Sequence, residues 1–128
     1  MIYTSYFGKM SKFPKNFEPI SIARWKPQWY KGKVCLVLAP SDKLLRWWRA
    51  SDKSEDAWEH YIRWYYREVV NVYDPRAIER MLKDIAGDKI PVLVCFEKSE
   101  DYCHRHLIAA WFNRNGIKCE EWKECIMN

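Results

Sequence analysis

Between positions 95 and 106 the chain carries Cys95, Glu97, Cys103, His104, Arg105 and His106. Two thiols, a carboxylate, two imidazoles and a guanidinium offer a nucleophile, a general acid or base, and an anchor for an anion. Cys103 lies beside His104 and Arg105 where a helical pattern opens. Those neighbours lower a thiol pKa, which makes Cys103 a candidate nucleophile. Glu97 is a candidate acid or base, an acceptor for a ribose hydroxyl, or an ion-pair partner for Arg24 or Arg105. His104 is the nearer of the two histidines to the buried helical stripe and completes the catalytic set, although a buried, hydrogen-bonded histidine is the plainer reading. Cys95 ends an apolar run. It is grouped with the ligand-binding residues, and simple packing also accounts for it.

Two chemistries fit the spacing poorly. A phosphatase-type loop needs arginine six positions after the cysteine, and the residue six after Cys95 is Asp101. Cys95, Cys103, His104 and His106 match no standard zinc pattern, and residues two apart on a helix point in different directions. No metal and no cofactor is therefore expected.

Positioning these side chains requires a strand that ends at them and a helix that begins at them. Residues 90–96 are apolar and β-branched, and residues 102–115 carry a helical apolar pattern stopped by Gly116. Residues 117–122 read as a final strand. Upstream, strands are expected at 2–7, ending at Gly8, at 19–24 and at 33–38, the last stopped by Ala39-Pro40. Ser41-Asp42 caps a short helix with Leu44, Leu45, Trp47 and Trp48. Residues 56–71 repeat Trp58, Tyr61, Ile62, Tyr65, Tyr66 and Val69 at three- and four-residue steps, an amphipathic helix. Asp74-Pro75 opens a further helix, with Ile78, Met81, Leu82 and Ile85 inward and Gly87 as its stop.

This alternation predicts an α/β fold: a single-domain sandwich over residues 1–128, with a largely parallel sheet flanked by helices. Ligands of such sheets bind beyond the carboxyl ends of the strands. Thr4, Ser5 and Tyr6 from the first strand, Arg24 from the second and Cys95 and Glu97 from the fourth are expected to meet there, joined by Cys103, His104 and Arg105. Arg24 and Arg105 suit a phosphate or carboxylate because a planar guanidinium binds either bidentately.

The 128 residues carry a net charge of +5, unevenly distributed. Residues 1–49 hold ten Lys/Arg against two Asp/Glu, interleaved with Trp25, Trp29, Tyr30, Trp47 and Trp48. Basic and stacking residues together are what a nucleic acid needs. Lys26, Lys31, Lys33 and Trp29 are the residues expected to carry that alternative, although core aromatics and solubilising lysines account for the same pattern. Five scattered cysteines with no Cys-x-x-Cys pair do not make a disulfide framework. The first residues lack the regions of a signal peptide and the apolar runs are too short for a membrane span, so a soluble cytoplasmic protein with no membrane contact is expected.

Tyr3-Thr4-Ser5-Tyr6, Ile22-Ala23-Arg24 and above all Val94-Cys95-Phe96-Glu97 followed by Cys103-His104-Arg105 resemble the family catalogued as domain of unknown function 488. Many of its members have Asp-Val-Arg where this chain has Ile22-Ala23-Arg24. The resemblance implies a compact α/β domain with a site around these residues and no established reaction; related families with a similar Cys-His helix start are linked by genomic association to nucleotide and nucleic-acid metabolism. The function expected is binding or processing of a phosphate-containing ligand: a nucleotide, a nucleoside derivative or a nucleic-acid end. The alternative is a non-enzymatic module that binds nucleic acid or protein through the basic first third.

Overall fold

The computed structural model describes residues 1–97 and 101–124. Five parallel strands form one sheet: β1 (Ile2–Tyr6), β2 (Phe17–Ser21), β3 (Lys33–Val34), β4 (Ile90–Cys95) and β5 (Cys119–Glu121), in the order β3-β2-β4-β1-β5. Among the described residues four α-helices accompany them: α1 (Asp42–Ala50), α2 (Glu55–Tyr65), α3 (Pro75–Ala86) and α4 (His104–Arg114). This is an α/β fold with an all-parallel sheet.

The chain crosses the sheet in one direction from β1 through β2 to β3 and in the other from β3 to β4 and on to β5. Right-handed crossovers in opposite directions fall on opposite faces. The α-helices accordingly bury Leu44, Tyr65, Leu82 and Phe112 in one cluster with Ile2, Ile20 and Leu93. The other face holds Phe7, Phe17, Tyr30, Val92 and Val94, and the cover there is aromatic side chains and a 3₁₀ segment, Phe7–Lys12, rather than an α-helix. The expected flanking by helices is thus one-sided.

Local chemistry explains most element ends. Ser41 and Ser54 accept from the backbone N–H groups of Leu44 and Ala57, each at 3.1 Å, and so cap α1 and α2. Pro75 starts α3 and Gly87, at φ +67°, ends it. Pro19 and Pro91 are tolerated inside strands because the ladder towards β3 begins only at Ile20 and that towards β1 only at Val92.

Three expected elements are shorter than their apolar patterns. The second strand spans Phe17–Ser21, so Ile22-Ala23-Arg24 runs on beyond it. The third is two residues long and gives way to a 3₁₀ turn, Leu36–Leu38; an apolar run cannot by itself distinguish the two. The long aromatic helix is regular only to Tyr65 and then widens into a π turn, Tyr66–Val70. That turn brings Glu68 to the start of α1, where it accepts from Ser41 Oγ at 2.5 Å and from Trp64 Nε1 at 2.8 Å.

Candidate functional site

At the carboxyl end of β4, beside the start of α4, lies a narrow cleft. Cys95, Phe96 and Glu97 line it from the strand end, Tyr102, Cys103 and His104 from the helix start, and Ala23, Arg24 and Trp25 from the segment after β2. Pro40, Leu45, Trp48 and Arg49 close a third side and Trp58 and Tyr61 of α2 a fourth. The empty space in it and over its mouth is about 440 Å³, open solvent included, and the centres of water-sized groups can occupy about 30 Å³. That is room for about two waters. The walls are stacked rings: Trp58 lies 5.0 Å from Tyr102 at 16° and 4.8 Å from Tyr61 at 22°.

Arg105 organises the cleft floor from behind. Its side chain is fully buried. Nε and Nη2 donate to the two oxygens of Glu121 at 3.1 and 2.9 Å, a fork-on-fork pair. Nη1 donates to the Glu97 carbonyl at 2.6 Å and to Cys95 Sγ at 2.9 Å. Burial opposes the guanidinium charge, but the hydrogen bonds it donates to Glu121 and the nearby Cys95 and Cys103 outweigh it and raise its pKa. A permanent cation therefore faces one sulfur, that of Cys95.

Cys103 is different. It is the N-cap residue of α4 and nearly fully buried. Burial, followed by its hydrogen bond to Cys95 and the Cys95 charge, pushes its thiol well above the usual range. Burial thus works against the thiolate that the helix start and basic neighbours were expected to favour at Cys103, even though the Arg105 charge still pulls the other way. The arginine that was to activate it turns instead to the strand cysteine.

His104 donates from Nε2 to the Ile22 carbonyl at 2.7 Å, because a carbonyl can only accept. Its Nδ1 is then an acceptor, 3.8 Å from Cys103 Sγ. Burial holds its pKa down at about 4, despite the hydrogen bond to Ile22. It is a neutral imidazole at pH 7, aimed at the Cys103 thiol. The donor atoms of Cys95, Glu97 and Cys103 lie within 4.8 Å of one another and are, among the described residues, the set that could hold a metal ion. A cation there would share the Cys95 sulfur with the guanidinium of Arg105.

Arg24 and Glu97 line the same cleft, but no ion pair joins them; Arg24 Nε donates to the Pro40 carbonyl at 2.9 Å. The three residues of β1 do not line it. Thr4 Oγ1 donates to Glu121 at 2.6 Å, and Tyr6 lies with its ring 5.8 Å from the Arg105 guanidinium. Ser5, paired with Val94, is on the opposite face of the sheet, because alternate strand residues point opposite ways. Lys26, Lys31 and Lys33 are exposed outside the cleft, as is Trp29, which packs edge-on to Phe7. Trp25 and Trp48 line the cleft while Trp47 packs on His60 and Trp64.

The sequence reading missed Trp58, Tyr61 and Tyr102 as walls, Arg49 as a cleft residue and Glu121 as the partner of Arg105. Arg49 follows Trp48 on α1, and its guanidinium lies 4.7 Å from the Trp25 ring. A basic residue beside a tryptophan was the available signal. Nothing local marked Glu121.

The fold and site define an α/β protein with a paired-cysteine cleft at the carboxyl edge of a parallel sheet. Over residues 9–116 the chain matches DUF488-N3a, described as the active DUF488-N3 subclade. It belongs to that family. No curated protein and no solved structure matches it. Among the described residues no helix is long and apolar enough to cross a membrane.

Proposed function

We propose that the protein binds a phosphate-bearing ring compound in this cleft, a nucleotide, a nucleoside derivative or a nucleic-acid end, and processes it with Cys95 as the nucleophile. One arrangement carries the reading. Arg24 and Arg49, neither ion-paired with a carboxylate among the described residues, line an aromatic cleft together with Cys95. Guanidinium groups bind phosphate, and the faces of Trp25 and Tyr102, 39% and 40% exposed, stack a base.

Roles follow from the contacts. Arg105 supports negative charge on the Cys95 sulfur while it attacks. Glu97, half-buried beside it, moves a proton on the leaving group or the attacking water. The cleft itself admits one small reacting group, so the ring stacks at its mouth on Trp25 and Tyr102. His104 positions Cys103 through the hydrogen bonds that set its tautomer. The four cysteines described are free, which supports a reducing compartment such as the cytoplasm.

The test is a thermal-shift screen on the reduced protein with phosphate, mononucleotides, dinucleotides, cyclic nucleotides and short oligonucleotides. A ligand selective for the folded state raises the melting temperature by mass action and protects Cys95 from alkylation. No shift with any of them overturns the reading. Exposure of Lys26, Lys31, Lys33 and Trp29 favours a second reading, a nucleic-acid-binding surface outside the cleft. Oligonucleotide binding that leaves Cys95 unprotected would select it.

A further inference from the structure

We propose that Cys95 and Cys103 are also a reacting and a resolving thiol, which reduce hydrogen peroxide and close reversibly into a disulfide. This inference shares the Cys95 nucleophile with the function proposed above and adds a second substrate class, a peroxide. Their sulfur atoms lie within 4.8 Å of each other, so a bond of about 2.05 Å needs a movement of at most about 2.8 Å.

Each side chain has the partner its step requires. The Cys95 sulfur faces Arg105 Nη1 at 2.9 Å, a fixed positive charge beside the attacking sulfur. The Cys103 sulfur faces the acceptor Nδ1 of His104 at 3.8 Å. The cleft above them has room for about two waters, a space that suits a two-oxygen molecule. Cys103 stays a thiol until it is called on, since burial holds its proton.

The chemistry balances in two steps. The Cys95 sulfur attacks one peroxide oxygen, the O–O bond breaks, and hydroxide leaves and takes up the thiol proton as water; Cys95 becomes a sulfenic acid. Cys103 passes its proton to His104 Nδ1 as its sulfur attacks Cys95 Sγ. The S–O bond breaks, and the departing hydroxide takes the proton from His104 as the second water. Two thiols and one peroxide give one disulfide and two waters. A small thiol or dithiol reverses the closure by exchange.

The reduced full chain is treated with one equivalent of hydrogen peroxide, alkylated at intervals and digested, and each cysteine is followed by mass spectrometry. Cys35 and Cys119 are internal controls, because they are buried to 4% and 2% exposure, as Cys95 and Cys103 are to 1% and 3%. The expected result is joint loss of Cys95 and Cys103 at least tenfold faster than the controls, a disulfide joining their peptides, and recovery with dithiothreitol. Cys103→Ser should accumulate a sulfenic acid at Cys95 that dimedone captures. Comparable rates at Cys35, Cys95, Cys103 and Cys119 overturn the proposal, and so does loss of Cys95 while wild-type Cys103 stays a thiol. Nucleotide binding by the reduced protein without disulfide formation overturns this inference alone; disulfide formation without any nucleotide response overturns only the nucleotide reading.

Discussion

Arg105 and Cys95 meet at 2.9 Å, Nη1 to Sγ, while the same nitrogen also donates to the Glu97 carbonyl and the other two, Nε and Nη2, are held by Glu121. The arginine is therefore both a structural clamp and the cation beside the Cys95 sulfur. It belongs to the helix after the cysteine and pairs with the last strand, so one side chain ties β4, α4 and β5 together.

Arg105→Met should lower stability by about 3 kcal/mol, since removing one partner of a buried ion pair leaves the other charge without its counterion. The 19% exposure of the Glu121 side chain keeps the loss at the low end of the range for buried pairs. Urea unfolding at pH 7 measures it. The double variant with Glu121→Met should recover at least half, and no recovery would show that the clamp acts through something other than charge pairing.

Stability should fall on mild acidification. Burial lowers the His104 pKa from 6.5 to about 4 in the folded chain. Between those values the unfolded chain binds more protons than the folded one, so its contribution is complete above pH 6.5 and is lost progressively as pH falls towards 4. A shift of that size corresponds to a loss of about 3 kcal/mol by the low end of the window. Urea midpoints at pH 7 and pH 5 should differ more for the wild type than for His104→Gln.

Arg24→Ala and Arg49→Ala should each weaken the ligand-induced thermal shift by about tenfold in Kd, or about 1.4 kcal/mol. The unliganded protein should change by about 1 kcal/mol or less for Arg24→Ala, the worth of its hydrogen bond to the Pro40 carbonyl. A large loss of stability with no change in ligand affinity would make Arg24 a structural residue.

Replacement of Lys26, Lys31 and Lys33 by alanine should leave mononucleotide binding unchanged, because none of the three lines the cleft. If oligonucleotides bind, the same variant should flatten the dependence of affinity on salt, since each phosphate contact releases condensed counterions. Filter binding across salt concentrations, beside the thermal shift, separates the two surfaces.

Gly32→Ala should destabilise the protein by about 1–3 kcal/mol. A Cβ there would stand 2.6 Å from Tyr30 Oη, and that buried ring cannot retreat while its hydroxyl donates to the Lys33 and Pro19 carbonyls. Thermal unfolding checks this, and a neutral result would mean the Tyr30 loop shifts freely.

Periodicity and punctuation alone determined the larger elements. The apolar run into Cys95, the three- and four-residue rhythm of α2 and α3, Pro75 and Gly87 at the ends of α3, and the helix opening at Cys103 and His104 are local signals, each read from neighbouring residues. They suffice for an α/β fold and for a cysteine-bearing strand end beside a helix start. The short third strand was not legible, because the run from Val34 to Leu38 is apolar in either conformation and only pairing to β2 decides where it stops. Which sulfur receives the cation was not legible either. Thr4 stands opposite Glu121 only because β5 adds beside β1, and that register puts a carboxylate under Arg105 that pulls the guanidinium away from its sequence neighbour Cys103 and across to Cys95. Ser5 fell out of the site for the same kind of reason, since a strand residue one step from Thr4 faces the other side of the sheet. Side-chain partners of this sort depend on which strands become neighbours, and strand order is a property of the folded chain as a whole.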